Sequence, residues 1–297
     1  MKNKSIYRSE RGKQLILGKY EEYLQSFSCK IQREYVPTRF GRTHVLTMGK
    51  EDGKPLFILQ GGNCINPVTL SWFEHLLSKY KVYAPDTIGH PGYSDETRIS
   101  AKDESFALWI TDLLDHYHIE RCAFIGPSYG GGVILRLAAF RPQRIACAIL
   151  AAPAGISLGS KTKMIKEIMM PLLLYKMSGS KKHLASIANT MSWGSMKAMD
   201  RKIIGMIFKY VSLEQDMPKL TTKSELKHYH SPTLLIAGKT DIFFPEDALL
   251  KKAVPLFGNL LEWRAYDMGH FPSSSHIEII NHDILAFLAA HYSSVEN

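Results

Sequence analysis

Gly126-Pro127-Ser128-Tyr129-Gly130 stands between the apolar run Arg121-Cys122-Ala123-Phe124-Ile125 and a Gly/Ala-rich run over 131–140. The first run is short and continuous and reads as a buried strand, and the second has helical spacing. A Gly-x-Ser-x-Gly pentapeptide between strand and helix marks a turn that lifts one serine out of a sheet. So tight a turn strains the serine backbone, and its neighbours must be small for strand and helix to close around it. The serine oxygen then stands beside a helix N-terminus, where free N–H groups and the helix dipole favour negative charge. Chance alone places this pattern in roughly one chain in ten of this length, so its surroundings must decide.

A serine hydroxyl is a poor nucleophile near neutral pH until an imidazole takes its proton and a carboxylate orients that imidazole. In elbow-type arrangements these follow in the order Ser, Asp or Glu, His. Beyond Asp241 lie His270, His276, His282 and His291. The last three fall on an expected C-terminal helix carrying Ile277, Ile280, Ile284, Phe287 and Leu288, a poor place for a base. His270 sits in Asp267-Met268-Gly269-His270-Phe271-Pro272, just beyond the last expected strand, and is the candidate base. Asp241, at the carboxyl end of the strand that starts near Thr233, is the candidate acid. Asp267 is its competitor, although three residues before the histidine it suits a turn cap. Ala152-Pro153-Ala154, after the preceding strand, offers no carboxylate. Charge on an attacked carbonyl needs two donors. The Tyr129 N–H follows the nucleophile, and Gly62, with Asn63 next, lies in the loop Gln60-Gly61-Gly62-Asn63 after an earlier strand.

Strand-like runs at 30–36, 43–47, 55–60, 80–84, 145–151, 233–237 and 261–266 alternate with helical runs at 70–77 and 104–118, which implies a mostly parallel sheet covered on both faces. The opening residues to about Phe27 suggest an outer helix with Leu15, Leu17, Tyr20 and Leu24 on one side. Residues 153–228 break the rhythm. They hold 12 Lys and 1 Arg against 5 Asp or Glu, and 9 of the 12 methionines, within a chain of formal net charge +9. Met164, Ile168, Leu172 and Tyr175 recur at helical spacing, as do Met196, Met199, Ile203, Met206 and Tyr210, with Pro171 and Pro218 as punctuation. We expect three or four helices forming a lid over the carboxyl end of the sheet, mostly packed as core, with some thioethers turned toward a ligand. The division is therefore a core of 1–152 and 229–297 and a helical cap of 153–228.

The composition, 45% hydrophobic and 22% charged, is that of a globular chain. No apolar run approaches the ~20 residues that span a bilayer, and the charged start lacks a signal-peptide core, so the expected location is cytoplasmic. Cys29, Cys64, Cys122 and Cys147 are scattered without metal-site spacing, and Cys122 and Cys147 read as inert buried thiols. The basic cap admits three readings: a solvated surface, attraction to anionic lipid surfaces, and nucleic-acid binding. The last has no motif behind it.

Together the Gln60-Gly61-Gly62 loop, the run from Pro85-Asp86 to Ser94-Asp95, the elbow, Asp241 and Gly269-His270-Phe271-Pro272 resemble the α/β-hydrolase superfamily over nearly the whole chain. Within it the chain looks like bacterial capped carboxylesterases. The resemblance implies a serine hydrolase that cleaves small-molecule esters with an apolar moiety through an acyl-enzyme, without metal or organic cofactor. Thioester, lactone or carbon–carbon bond hydrolysis by the same residues, or ligand binding without turnover, are its alternatives. Asp86 is expected to be structural, accepting loop N–H groups. Two positions depart from the pattern: Gln60 stands where the oxyanion loop usually begins with His, and Pro127 precedes the serine where His, Asn or an aromatic is common. The oligomeric state is not legible.

Overall fold

The computed structural model describes residues 5–292; the first four residues of the opening segment lie outside that range. Strand side chains alternate between faces. In β3 (Lys54–Ile58), Leu56 and Ile58 join one core while Phe57 joins a second. In β5 (Cys122–Pro127), Ala123 and Ile125 oppose Cys122 and Phe124 in the same way. All of these are buried, so the strands lie in the middle layer of three, which is why they read as continuous apolar runs.

One eight-stranded sheet has the order β1 (Ile31–Thr38), β2 (Gly41–Gly49), β4 (Tyr80–Pro85), β3, β5, β6 (Ile145–Ala151), β7 (Thr233–Gly238), β8 (Leu261–Tyr266). The pairs β1–β2 and β2–β4 are antiparallel, and every pair from β4 across to β8 is parallel. The chain leaves β3 outward to β4 and returns across β3 to β5. The loops at the carboxyl ends of β3 and β5 therefore diverge, and that switch point opens a crevice.

Helices α3 (Ser105–His116), α4 (Tyr129–Phe140) and α9 (Glu246–Phe257) cover one face through Trp109, Leu113, Val133, Leu137 and Leu249. Helices α1 (Glu10–Leu24), α2 (Asn66–Leu70) and α10 (Ser274–His291) cover the other through Tyr20, Val68, Ile280, Ile284 and Phe287. Two local expectations fail. Leu15 is 41% exposed and Leu17 only half-buried; of the expected side α1 buries Tyr20 and Leu24, and with them Ile16 and Tyr23. The Tyr20 hydroxyl donates to Asp86 Oδ1 at 2.8 Å, which fixes the rotation of the helix. The run 70–77 is not one helix: α2 ends at Leu70 and a 3-10 turn spans Glu74–Ser78. The Trp72 and Phe73 N–H groups bond only three residues back, to Thr69 O and Leu70 O, and Asn281 Nδ2 donates to the Trp72 carbonyl at 2.7 Å.

Between β6 and β7 come α5 (Lys161–Met164), a π turn over Ile165–Met169, α6 (Met170–Ser178), α7 (Lys181–Ser192) and α8 (Ala198–Tyr210). Pro171 has no N–H to continue the ladder, and the turn before it widens so that the Met170 N–H reaches the Ile165 carbonyl. Ile168 and Ile203 belong to the core, and Met164, Leu172, Met199 and Met206 are half-buried against that same core. The far end of this segment is tied to the start of the chain, where Arg8 N donates to Tyr210 O and Ser212 N to Ile6 O, each at 2.8 Å.

Candidate active site

Ser128 has φ 51° and ψ −116°, a conformation that costs a non-glycine residue on the order of 1–3 kcal/mol unless its surroundings impose it. They do. Pro127 ends β5 opposite Ala151 and has no N–H, so the next donor, Ser128 N, takes the Ala151 carbonyl at 2.9 Å, and Ala154 N donates back to Ser128 O at 2.9 Å. The flanking glycines are obligatory. A Cβ on Gly126 would lie 2.4 Å from the Gly130 carbonyl carbon, and one on Gly130 would lie 2.6 Å from Leu59 O.

Asp241 follows β7 and is 2% exposed. Its Oδ1 accepts the N–H groups of Phe243 at 2.8 Å and Phe244 at 3.2 Å, and its Oδ2 lies 2.8 Å from His270 Nδ1. A carboxylate only accepts, so Nδ1 carries the hydrogen and Nε2 is left as an acceptor. The loops bearing the pair press together, since a Cβ on Gly238 would fall 2.6 Å from Gly269 O. The ring is held among Phe243, Phe244 and Phe271, with centroids at 4.8, 5.8 and 6.0 Å. Asp267, the competing acid, instead pairs with Lys239 at 3.1 Å on the surface.

Gly62 packs directly on Tyr129: a Cβ there would sit 2.8 Å from Tyr129 Cβ. Among the described residues neither backbone N–H of this pair is taken by a protein acceptor, whereas the neighbouring Gly61 N–H is held by Thr69 Oγ1 at 3.1 Å. Asn63, the second candidate in this loop, has φ 48° and its Oδ1 accepts Glu214 N at 2.7 Å. Gln60 uses both ends of its amide: Nε2 donates to the carbonyls of Cys64 and Pro91, and Oε1 accepts Thr87 N at 2.8 Å. The loop is thus fastened to the one that follows β4. Asp86 accepts Tyr93 N at 2.8 Å as well as the Tyr20 hydroxyl, and its Oδ2 lies 3.0 Å from His44 Nδ1, so its role is structural, as expected.

His90 also lies close by, its ring centroid 4.7 Å from that of Tyr129. Burial, with a smaller contribution from Arg98, pushes its pKa down to about 3, so it stays neutral near physiological pH. Burial pushes the Cys64 and Cys147 thiols up to about 12, and Cys122 well above its ordinary value, which removes all three as nucleophiles. Among the described residues no cluster of three or more His, Cys, Asp or Glu is placed to hold a metal.

Ser128, His270, Gly62 and Tyr129 border one cavity of about 570 Å³. Its roof comes from the inserted segment, including Ile165, Ile168, Met169, Leu172, Met191 and Phe208. Lys161 is the one Lys or Arg on this lining. Among the described residues no hydrogen bond joins Ser128 Oγ to the imidazole; contacts of this kind tighten when substrate binds. The sequence reading missed three contributors: the Phe243 and Phe244 amides, Thr69, and the Met191 carbonyl, which accepts Phe271 N at 2.9 Å. Only the first had a local signal, an Asp followed two and three residues later by donors in an Asx turn.

The sequence matches the family model described as alpha/beta hydrolase fold over residues 54–202. It is 26% identical to carboxylesterase YbfK of Bacillus subtilis, over 91% of this chain and 93% of that protein. It is 25% identical to the uncharacterized carboxylesterase nap of the same organism, over 91% of each chain. The crystal structure of naproxen esterase (carboxylesterase NP) from Bacillus subtilis superposes with a TM-score of 0.79 at 21% identity, covering 95% of this chain and 99% of that one.

Proposed function

The chain belongs to the α/β-hydrolase fold family and is a carboxylesterase-type hydrolase, and from that premise we propose that Ser128, His270 and Asp241 form its catalytic triad. Ser128 Oγ attacks the ester carbonyl carbon while its proton passes to His270 Nε2. The Gly62 and Tyr129 N–H groups receive the oxyanion. The tetrahedral species collapses, the alkoxide takes the proton from His270 and departs as the alcohol, and the acyl group stays on Ser128. Water then repeats the sequence, giving the acid and the free serine. Asp241 holds the imidazole in the tautomer that both half-reactions need.

The observation that carries this reading is the strained, glycine-braced Ser128 on the same cavity wall as an imidazole whose Nδ1 is held 2.8 Å from a buried carboxylate. The apolar roof fits an ester with a bulky apolar acyl or alcohol part. We assign residues 153–228 as the cap that supplies this roof. The test pairs wild type with Ser128→Ala, using a fluorophosphonate label and a short-chain p-nitrophenyl ester. Loss of both labelling and turnover in a folded variant is the expected result. Unchanged turnover in Ser128→Ala refutes the assignment, and a folded wild type that neither labels nor turns over moves the chain to ligand binding.

A further inference from the structure

The run 161–178 is apolar on both sides. Its inner stripe, Met164, Ile168, Leu172 and Tyr175, packs into the core. Its outer side carries Ile165, Met169, Met170, Leu173, Leu174 and Met177, all 42% exposed or more, with Met177 at 77%. A helix that is apolar all round belongs in a buried setting, and an exposed apolar patch of this kind marks a docking surface. The charges around it are nearly all of one sign. Lys161, Lys163, Lys166 and Lys176, with Lys181 and Lys182 just beyond the turn, stand against Glu167 alone. Among the described residues none of these lysines forms a salt bridge.

Two occupants suit an apolar stripe, a second copy of the chain or a lipid surface. A two-fold contact between copies brings the same patch against itself, so it would set these lysines near one another with one glutamate per chain to compensate. An anionic bilayer interface meets both features, taking the Met and Leu side chains among its acyl chains and the ammonium groups among its phosphates. The patch is continuous with the cavity, since Leu158, Lys161, Ile165 and Met169 are exposed and also line it.

We propose that the outer side of 161–178 docks on an anionic lipid surface and turns the cavity mouth toward it, so that apolar esters enter from the lipid phase. The docking stands on the surface alone; the delivery of esters rests on the hydrolase reading above.

The test uses the full chain, vesicles of phosphatidylcholine with and without phosphatidylglycerol, and the double variant Leu173→Glu with Met177→Glu, neither of which lines the cavity. Wild type is expected to co-sediment with the anionic vesicles and to be released by salt. The double variant should bind at least about tenfold more weakly, and each exchange among Lys163→Gln and Lys166→Gln about fivefold more weakly. Turnover of a water-soluble p-nitrophenyl ester should be equal in all of them, which separates failure of docking from failure of the hydrolase reading. Hydrolysis of a long-chain ester dispersed in anionic vesicles should fall in the double variant. Absence of vesicle binding by wild type, or binding indifferent to phosphatidylglycerol, overturns the proposal. A dimer in solution that the double variant abolishes, with no vesicle binding, gives the patch to a second copy and overturns it too.

Discussion

Exchange of Asp241 for Asn tests how the site fixes one proton. Oδ1 accepts two backbone N–H groups, from Phe243 and Phe244, and Oδ2 faces His270 Nδ1. An asparagine in this place keeps its carbonyl oxygen on the two backbone donors, so its NH2 points at the imidazole. A donor there obliges Nδ1 to accept, the hydrogen moves to Nε2, and the atom that should take the serine proton no longer can. Turning the amide over would restore the tautomer but leave two buried N–H groups facing an NH2. At about 1–3 kcal/mol for each unmet donor, the productive orientation lies about 2–6 kcal/mol uphill. With about 1.4 kcal/mol to each factor of ten, kcat should fall between roughly 30-fold and roughly 20,000-fold. The backbone donors keep their acceptor, so the thermal midpoint should barely move. The assay is steady-state hydrolysis of a short p-nitrophenyl ester alongside a melting curve. Turnover within tenfold of wild type at an unchanged midpoint refutes the tautomer argument.

Two further outcomes follow from packing and titration. Gly130→Ala should reduce stability by about 1–3 kcal/mol and activity by about 100-fold, because its Cβ would push on Leu59 O at 2.6 Å and part the 60–63 loop, which carries the proposed oxyanion donor, from the elbow; Gly18→Ala, with nothing within 4 Å, is the matched control and should cost neither. His90, held at about 3 against an ordinary 6.5, makes the unfolded chain take up a proton between those values that the folded chain refuses. Stability therefore falls as pH drops through that window, by about 2 kcal/mol at pH 5, and His90→Phe should lack that slope when urea midpoints at pH 7.5 and 5 are compared; equal losses in the two proteins would contradict the burial argument.

Much of the site was legible because its geometry is written locally. Gly126 and Gly130 announce a turn too tight for a Cβ at either place, with Ser128 between them, and His270 lies just beyond a strand end. The middle of the sheet was legible because strands such as β5 and β7 are buried along their whole length. What stayed hidden depends on partners far along the chain. Leu15 looked like core until Tyr20, fixed on Asp86, set the rotation of α1. The helix expected over 70–77 breaks where the Trp72 and Phe73 N–H groups bond only three residues back, to Thr69 O and Leu70 O, and Asn281, 209 residues away, donates to the Trp72 carbonyl there. The anchoring of Gln60 and Asn63 likewise runs through Thr87, Pro91 and Glu214, which no local pattern connects to them.

The contact between α7 and the loop bearing His270 divides the inserted segment in two. Phe271 N donates to Met191 O at 2.9 Å, and a Cβ on Gly269 would sit 2.7 Å from that same oxygen, so the last turn of α7 is a strut for His270. The inserted segment is thus two things in succession. Residues 161–178 roof the cavity through Met164, Ile165, Ile168, Met169 and Leu172, whereas the part beginning with α7 is joined by a hydrogen bond to the loop that bears His270. An exchange of the whole inserted segment in this chain would disturb the His270 loop along with the cavity roof. An exchange confined to 161–178 would alter the roof and leave the contact between Met191 and Phe271 in place. Laboratory grafts should therefore be cut after Ser178 and before Lys181, at the turn where Gly179 takes φ 66°.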